Sequence, residues 1–247
     1  MRDGYKIYDT HTHIGHARHS GRERTADDLL RQMDAFGVDK SVVIPYPVVE
    51  DYRAEHDLIG RAVRDHPDRL VGTACLSPFV PEHEFRNEVR RCAEQWGFRA
   101  LKLQPKFQAI NPISPRSDFF FESAVENDLR VIVHTGDGVP FSLPSLYIVP
   151  ARRFPDLTIV LGHAGSSIFY TEAIVAALER SNIYIELSTL MPHFVREILG
   201  HISPSRLMVG SDLPEDLELE VGKVTSLPLE RADRQEILWN VAERVFG

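Results

Sequence analysis

The chain lacks most of the features that assign a protein quickly. Its 247 residues hold two cysteines, Cys75 in an apolar strand-like run and Cys92 in a helix-like run. Neither has zinc-finger or redox spacing, so both read as buried free thiols in a reducing cytoplasm. No segment approaches the ~20 apolar residues of a membrane span, and Met1 to Lys6 lacks the apolar stretch of a signal peptide. No run of like charges forms a tail. The formal charge of −8 argues against nucleic acid or an anionic membrane as the main partner. No Gly-x-Gly-x-x-Gly follows the first apolar run, which disfavours a doubly wound dinucleotide-binding sheet. No Gly/Ser-rich linker divides the chain. The expectation is one cytoplasmic domain over 1–247.

What is present is a regular alternation. Short apolar runs end at Gly15, Pro45, Leu76, Pro105, Gly136, Gly165, Ser188 and Asp212. Between them lie segments with apolar residues at helical spacing. Thr25 with Asp27 and Asp28 reads as a helix start, and Gly37 as its stop. The other helices are expected over His56 to His66, Glu82 to Trp96, Phe119 to Asn127, Pro144 to Phe154, Phe169 to Ser181, Pro192 to His201 and Arg231 to Phe246. Eight strand–helix units of about 31 residues match a single-domain α/β (β/α)8 TIM barrel. The strands are near-continuous apolar runs, as when both faces are covered.

The polar exceptions fall at one end. Tyr8-Asp9-Thr10-His11-Thr12-His13 closes the first strand; side-chain alternation puts Asp9, His11 and His13 on one face. Lys102 and Gln104 close the fourth strand, His134 the fifth, His163 the sixth and Asp212 the eighth. In a barrel these carboxyl ends ring one mouth. Four imidazoles and a carboxylate converging there indicate a metal site of His11, His13, His134, His163 and Asp212, because neutral imidazole and carboxylate suit zinc and neighbouring divalent ions. Asp212 is placed to move a proton. His163 reads as a second catalytic group, or as a ligand to a second metal. Lys102 points inward between Leu101 and Leu103, with Gln104 as a polar neighbour. Lys102 can pair with an anionic substrate or balance Glu186 or Asp212. Glu186, between Ile185 and Leu187, can contact substrate or support a ligating histidine. His16, Arg18 and His19 in the first loop are candidate readers of a substrate carboxylate. Gly136-Asp137-Gly138 shows no distinct chemistry.

These motifs, with Leu101-Lys102-Leu103, Gly162-His163-Ala164-Gly165, Gly210-Ser211-Asp212-Leu213-Pro214 and the closing Trp239 to Gly247, resemble the amidohydrolase superfamily along nearly the whole chain. The resemblance is to its amidohydrolase-2 branch, which includes aminocarboxymuconate-semialdehyde decarboxylase-like members. It implies a metal-dependent barrel enzyme, usually with zinc, in which the histidine pair, His134 and Asp212 hold the metal. It further implies that His163 is catalytic or binds a second metal, and it admits a carbamylated Lys102. TatD-like nucleases carry a glutamate where Lys102 stands, and PHP-type phosphoesterases a histidine after the aspartate where Leu213-Pro214 stands; both fit less well.

The leading expectation is a hydrolase using a metal-activated water on a small amide, lactone or ester-like bond. The alternative is a non-oxidative decarboxylase of an aromatic or muconate-type acid. An inert metal-binding barrel fits less well, since Asp212 and His163 are both present. The expected partner is a small-molecule substrate, without nucleic acid or membrane; a homo-oligomer is compatible with the sequence.

Overall fold

The structure is a computed structural model that describes residues 4–247. Nine strands form one sheet: β1 (Tyr8–Ala17), β2 (Arg22–Arg24), β3 (Lys40–Pro45), β4 (Leu70–Ala74), β5 (Ala100–Leu103), β6 (Arg130–His134), β7 (Ile159–Gly162), β8 (Ile183–Glu186) and β9 (Leu207–Met208). All but β2 pair in parallel, in the order β1-β3-β4-β5-β6-β7-β8-β9. The ends meet. Thr12 bridges to Asp212, and the amides of Ser211 and Asp212 donate to the His11 carbonyl at 3.0 and 2.7 Å. The sheet is thus a closed eight-stranded TIM barrel, as the alternation implies.

Each barrel strand is followed by a helix: α1 (Ala26–Phe36), α2 (Tyr52–Asp65), α3 (Glu82–Trp96), α4 (Asp118–Glu126), α5 (Ile148–Arg153), α6 (Ser166–Glu179), α7 (Pro192–Leu199) and α8 (Leu217–Ser226). The expected caps of α1 are found. Thr25 and Asp28 form a reciprocal capping box, and Gly37 closes the helix in the left-handed region. No helix of the described residues is long and apolar enough to cross a membrane.

Three expectations are corrected. The first strand does not stop at Gly15; it runs to Ala17 and turns through Ser20-Gly21 into β2, forming an antiparallel hairpin. The second helix starts at Tyr52, because Asp51 caps it by accepting from the amides of Arg53 and Ala54. The eighth barrel helix is α8, hidden in the sequence by Gly222 and an acidic, proline-led approach. The segment 231–246 is an additional closing element, α9 (Arg231–Gln235) and α10 (Val241–Phe246) joined by a π-helical turn.

Two apolar layers result. Between sheet and helices lie residues such as Ile14, Val43, Leu101, Leu103, Val131 and Val133. Inside the barrel, Tyr8, Val42, Ile132, Val160 and Met208 pack with Val241, Val245 and Phe246 of α10. That helix therefore plugs the amino end of the strands, leaving the carboxyl end for the polar groups. A register shift between Asp9 and Thr12 reverses the alternation along β1. Tyr8 consequently faces the inner layer and Ile14 the outer one, although an even number of positions separates them.

Candidate metal centre

The register shift brings the two opening imidazoles to the centre of the barrel mouth. Asp212 Oδ1 lies 3.7 Å from His11 Nε2, 3.7 Å from His13 Nε2 and 3.8 Å from His163 Nε2. One ligand atom each of His11, His13 and Asp212 falls within 4.8 Å of the others. His134 sits beside them, its ring 4.5 Å from that of His163, but is not in that trio. Its Nε2 meets Asp137 Oδ2 at 3.1 Å, so the Gly136-Asp137-Gly138 loop does carry chemistry. The only prior signal for Asp137 was two flanking glycines.

Backbone strain marks the same place. His163, Ala164, Ser166 and Asp212 all have positive φ, between 48° and 64°, without being glycine. Asp9 holds the Asp212 segment: Oδ1 accepts from the amides of His11 (3.2 Å) and Ser211 (2.9 Å), and Oδ2 from the Ser211 hydroxyl (2.8 Å). Burial, only partly offset by these bonds, pushes the Asp9 carboxyl up to about 7. Asp9 thus braces the barrel seam, a role the sequence did not reveal. Gly210 admits the packing below: a Cβ there would lie 2.5 Å from Glu186 Oε1 and 2.9 Å from His11 Cβ.

Of the residues expected to meet substrate, Gln104 lines the mouth cavity, whereas Lys102 and Glu186 lie beneath it, at 1 % and 0 % exposure. Lys102 Nζ is 2.8 Å from His11 Nε2. Burial lowers the Lys102 ammonium to about 8, although Asp212, Cys75 and Glu186 favour its charge. Glu186 Oε2 meets His11 Nδ1 at 3.1 Å. Burial also holds His11 and His163 well below the usual imidazole range and His13 at about 3, so their rings are neutral and can act as ligands. Burial raises the Asp212 carboxyl, with Lys102 opposing.

The cavity encloses about 270 Å³. Tyr46 stacks on His13 at 5.3 Å and 16°, and Phe107 packs on His19 at 4.7 Å. Arg22, raised over the mouth by the β1–β2 hairpin, is its guanidinium. Its neighbour Arg24 already takes both oxygens of Glu215, which leaves Arg22 at 3.8 Å from that carboxylate. Of the three loop residues expected to read a carboxylate, His19 lines the cavity. His16 is held between Glu55 and Glu23, and Arg18 pairs with Glu50. Arg22 was missed because the hairpin was missed; Gly21 between two polar stretches was its signal.

The residues fit a divalent cation. The donors are neutral imidazoles and a carboxylate, of which His11 Nε2 is met by Lys102 Nζ at 2.8 Å, a contact that a metal on that nitrogen would displace. The buried atoms His163 Nε2, Gln104 Oε1 and Tyr46 Oη have no hydrogen-bond partner among the described residues, as at a site that addresses something else.

The amidohydrolase family's sequence profile matches residues 8–247. The chain belongs to this family, in its amidohydrolase-2 branch. No curated protein sequence matches it. Solved structures with the same fold include 5-carboxyvanillate decarboxylase from Novosphingobium aromaticivorans, complexed with manganese and 4-hydroxy-3-methoxy-5-nitrobenzoic acid. That match has 17% identity and a TM-score of 0.76, covering 98% of this chain and 96% of the other. 2,6-Dihydroxybenzoate decarboxylase complexed with 2,6-dihydroxybenzoate matches at 18% identity and TM-score 0.76, covering 98% of each chain. 4-Oxalomesaconate hydratase from Rhodopseudomonas palustris matches at 18% identity and TM-score 0.71, covering 97% of this chain and 95% of the other. The fold therefore serves more than one reaction.

Proposed function

We propose that this chain is a metal-dependent decarboxylase of a small, planar, conjugated carboxylic acid. One observation carries the reading: the mouth joins aromatic walls, Tyr46 and Phe107, and a cation, Arg22, to a histidine–aspartate cradle. The sequence put a hydrolase first and this reaction second. The order is reversed here because the cavity suits a flat anion, and because two relatives of the same fold are decarboxylases of aromatic acids.

His11, His13 and Asp212, with His134, would hold the metal, which when bound supplies Lewis acidity that steadies negative charge on substrate oxygens. The donor set admits zinc, as the sequence suggested, and manganese, as found with one relative. Arg22 pairs with an anionic group and orients the ring. Tyr46 and Phe107 cover its faces and exclude water. Asp212 in its acid form gives a proton to the ring carbon that bears the carboxylate. The C–C bond then breaks, its electron pair stays with the ring, and carbon dioxide leaves. Asp212 recovers a proton from solvent, which its side chain reaches at 30% exposure.

The test is to incubate metal-loaded protein in D2O with hydroxybenzoates, muconate-type acids and lactones. Carbon dioxide release with deuterium at the vacated carbon is expected. Ring-opened acids from lactones, with no carbon dioxide from any acid, would return the hydrolase to first place.

A further inference from the structure

Glu186 touches four protein donors. Its oxygens accept from two backbone amides, His163 (3.0 Å) and Ser188, from the Ser188 hydroxyl (2.8 Å), and from His11 Nδ1 (3.1 Å). Backbone amides can only donate, so the carboxylate acts here as an acceptor. Its bond with the Ser188 hydroxyl uses that group's single proton. What Ser188 Oγ has left are lone pairs, and the atom facing them, 2.7 Å away, is His163 Nδ1. That nitrogen must therefore carry a proton, leaving Nε2 bare. Nε2 has no hydrogen-bond partner among the described residues and lies 3.8 Å from Asp212 Oδ1.

Resting on the decarboxylase reading, we infer that Ser188 is a positioning residue which fixes His163 as the Nδ1–H tautomer, so that His163 presents a proton-accepting Nε2 to the mouth. One carboxylate thereby orients two histidines, His11 directly and His163 through Ser188. A neutral His163 in this tautomer can accept a hydrogen bond or a proton at Nε2, or ligate a metal there, and does not donate a hydrogen bond from Nε2 to a developing oxyanion.

Ser188 is itself pinned from both sides by α8. Lys223 Nζ donates to the Leu187 carbonyl at 2.8 Å, Glu220 Oε1 accepts from the Thr189 amide at 2.9 Å, and Lys223 pairs with Glu220. Thr189 is held at a φ of 63°. The helix least visible in the sequence thus fixes the hydroxyl that sets the His163 tautomer. Ser188 and Glu186 are both fully buried, so water does not compete for these bonds.

The experiment is nitrogen NMR of protein labelled with 15N-histidine, metal-free and zinc(II)-loaded, with His163→Asn used to assign the resonances. Wild type is expected to show His163 protonated at Nδ1 and bare at Nε2. Ser188→Ala should lose that preference while binding zinc as wild type does, since His11 keeps Glu186. On any acid that wild type decarboxylates, kcat should fall about 10–100-fold with little change in KM. Ser188→Thr, which restores the hydroxyl, should regain the tautomer. A wild-type His163 protonated at Nε2, or an identical tautomer in wild type and Ser188→Ala, overturns the inference. Wild type alone decides if a variant does not fold. The spectra need no turnover, so failure of the decarboxylase reading and failure of this one are told apart.

Discussion

The mouth and the cluster between α2 and α3 contain the same kinds of groups. His11, His13 and Asp212 form one trio of ligand-capable atoms within 4.8 Å; His56, Glu88 and Cys92 form another. They differ in what those atoms already hold. His56 Nδ1 bonds Glu88 at 2.7 Å, and its Nε2 takes the Cys75 amide at 3.0 Å. Glu88 also receives Arg91 through two nitrogens, at 3.0 and 2.8 Å. Every strong donor and acceptor is matched, so the cluster is a strut between two helices. At the mouth, His163 Nε2 has no partner among the described residues, and three Nε2 atoms lie 3.7–3.8 Å from one carboxylate oxygen, of which only that of His11 is met by another side chain, Lys102. Proximity of ligand-type atoms does not separate the two sites; an imidazole nitrogen left without a partner does.

Four variants or conditions would break or sharpen that contrast. Asp212→Asn, measured by carbon dioxide release, should lower kcat about 10³-fold while circular dichroism and Tm of the metal-free protein stay near wild type, because it removes both the proton donor and a carboxylate ligand and keeps the shape. Glu88→Ala should instead cost about 3 kcal/mol in urea unfolding, by leaving His56 and Arg91 without their partner, and should leave bound metal unchanged. Arg22→Ala should raise KM about 10-fold with kcat nearly constant, since it removes a rim cation and not the reacting group. The smallest effect is on acid stability. Burial pushes the Glu88 carboxyl up, but the bonds from His56 and Arg91 outweigh it and hold the group at about 2, below its ordinary 4.5. A depressed carboxylate stabilises the fold fully above its unfolded value and loses that contribution as pH falls from 4.5 towards 2. Urea midpoints of Glu88→Gln should therefore fall less steeply than wild type over that window.

The sequence revealed what repeats and what alternates. Eight apolar runs with polar carboxyl ends were enough for the barrel, and His11, His13, His163 and Asp212 were legible because each ends a strand that must reach the same mouth. The parts it hid depend on a single residue or on a distant partner. The Asp9–Thr12 register shift leaves the apolar pattern looking regular, so Asp9 was grouped with the two histidines although its carboxylate turns to Ser211. Gly15 read as a stop when it is a bend inside β1, at a φ of 101° with Glu55 packed over it. That concealed β2 and with it Arg22. Asp137 and Ser188 are short polar residues next to strand ends, a pattern shared with ordinary turns, and only their contacts with His134 and His163 distinguish them.

Metal content per chain, measured by elemental analysis on wild type, His11→Ala and Glu88→Ala purified together, is the most direct measurement. Equal divalent metal in wild type and Glu88→Ala, with essentially none in His11→Ala, is the expected result. Metal retained in full by His11→Ala, or lost only from Glu88→Ala, would contradict a metal centre at the barrel mouth.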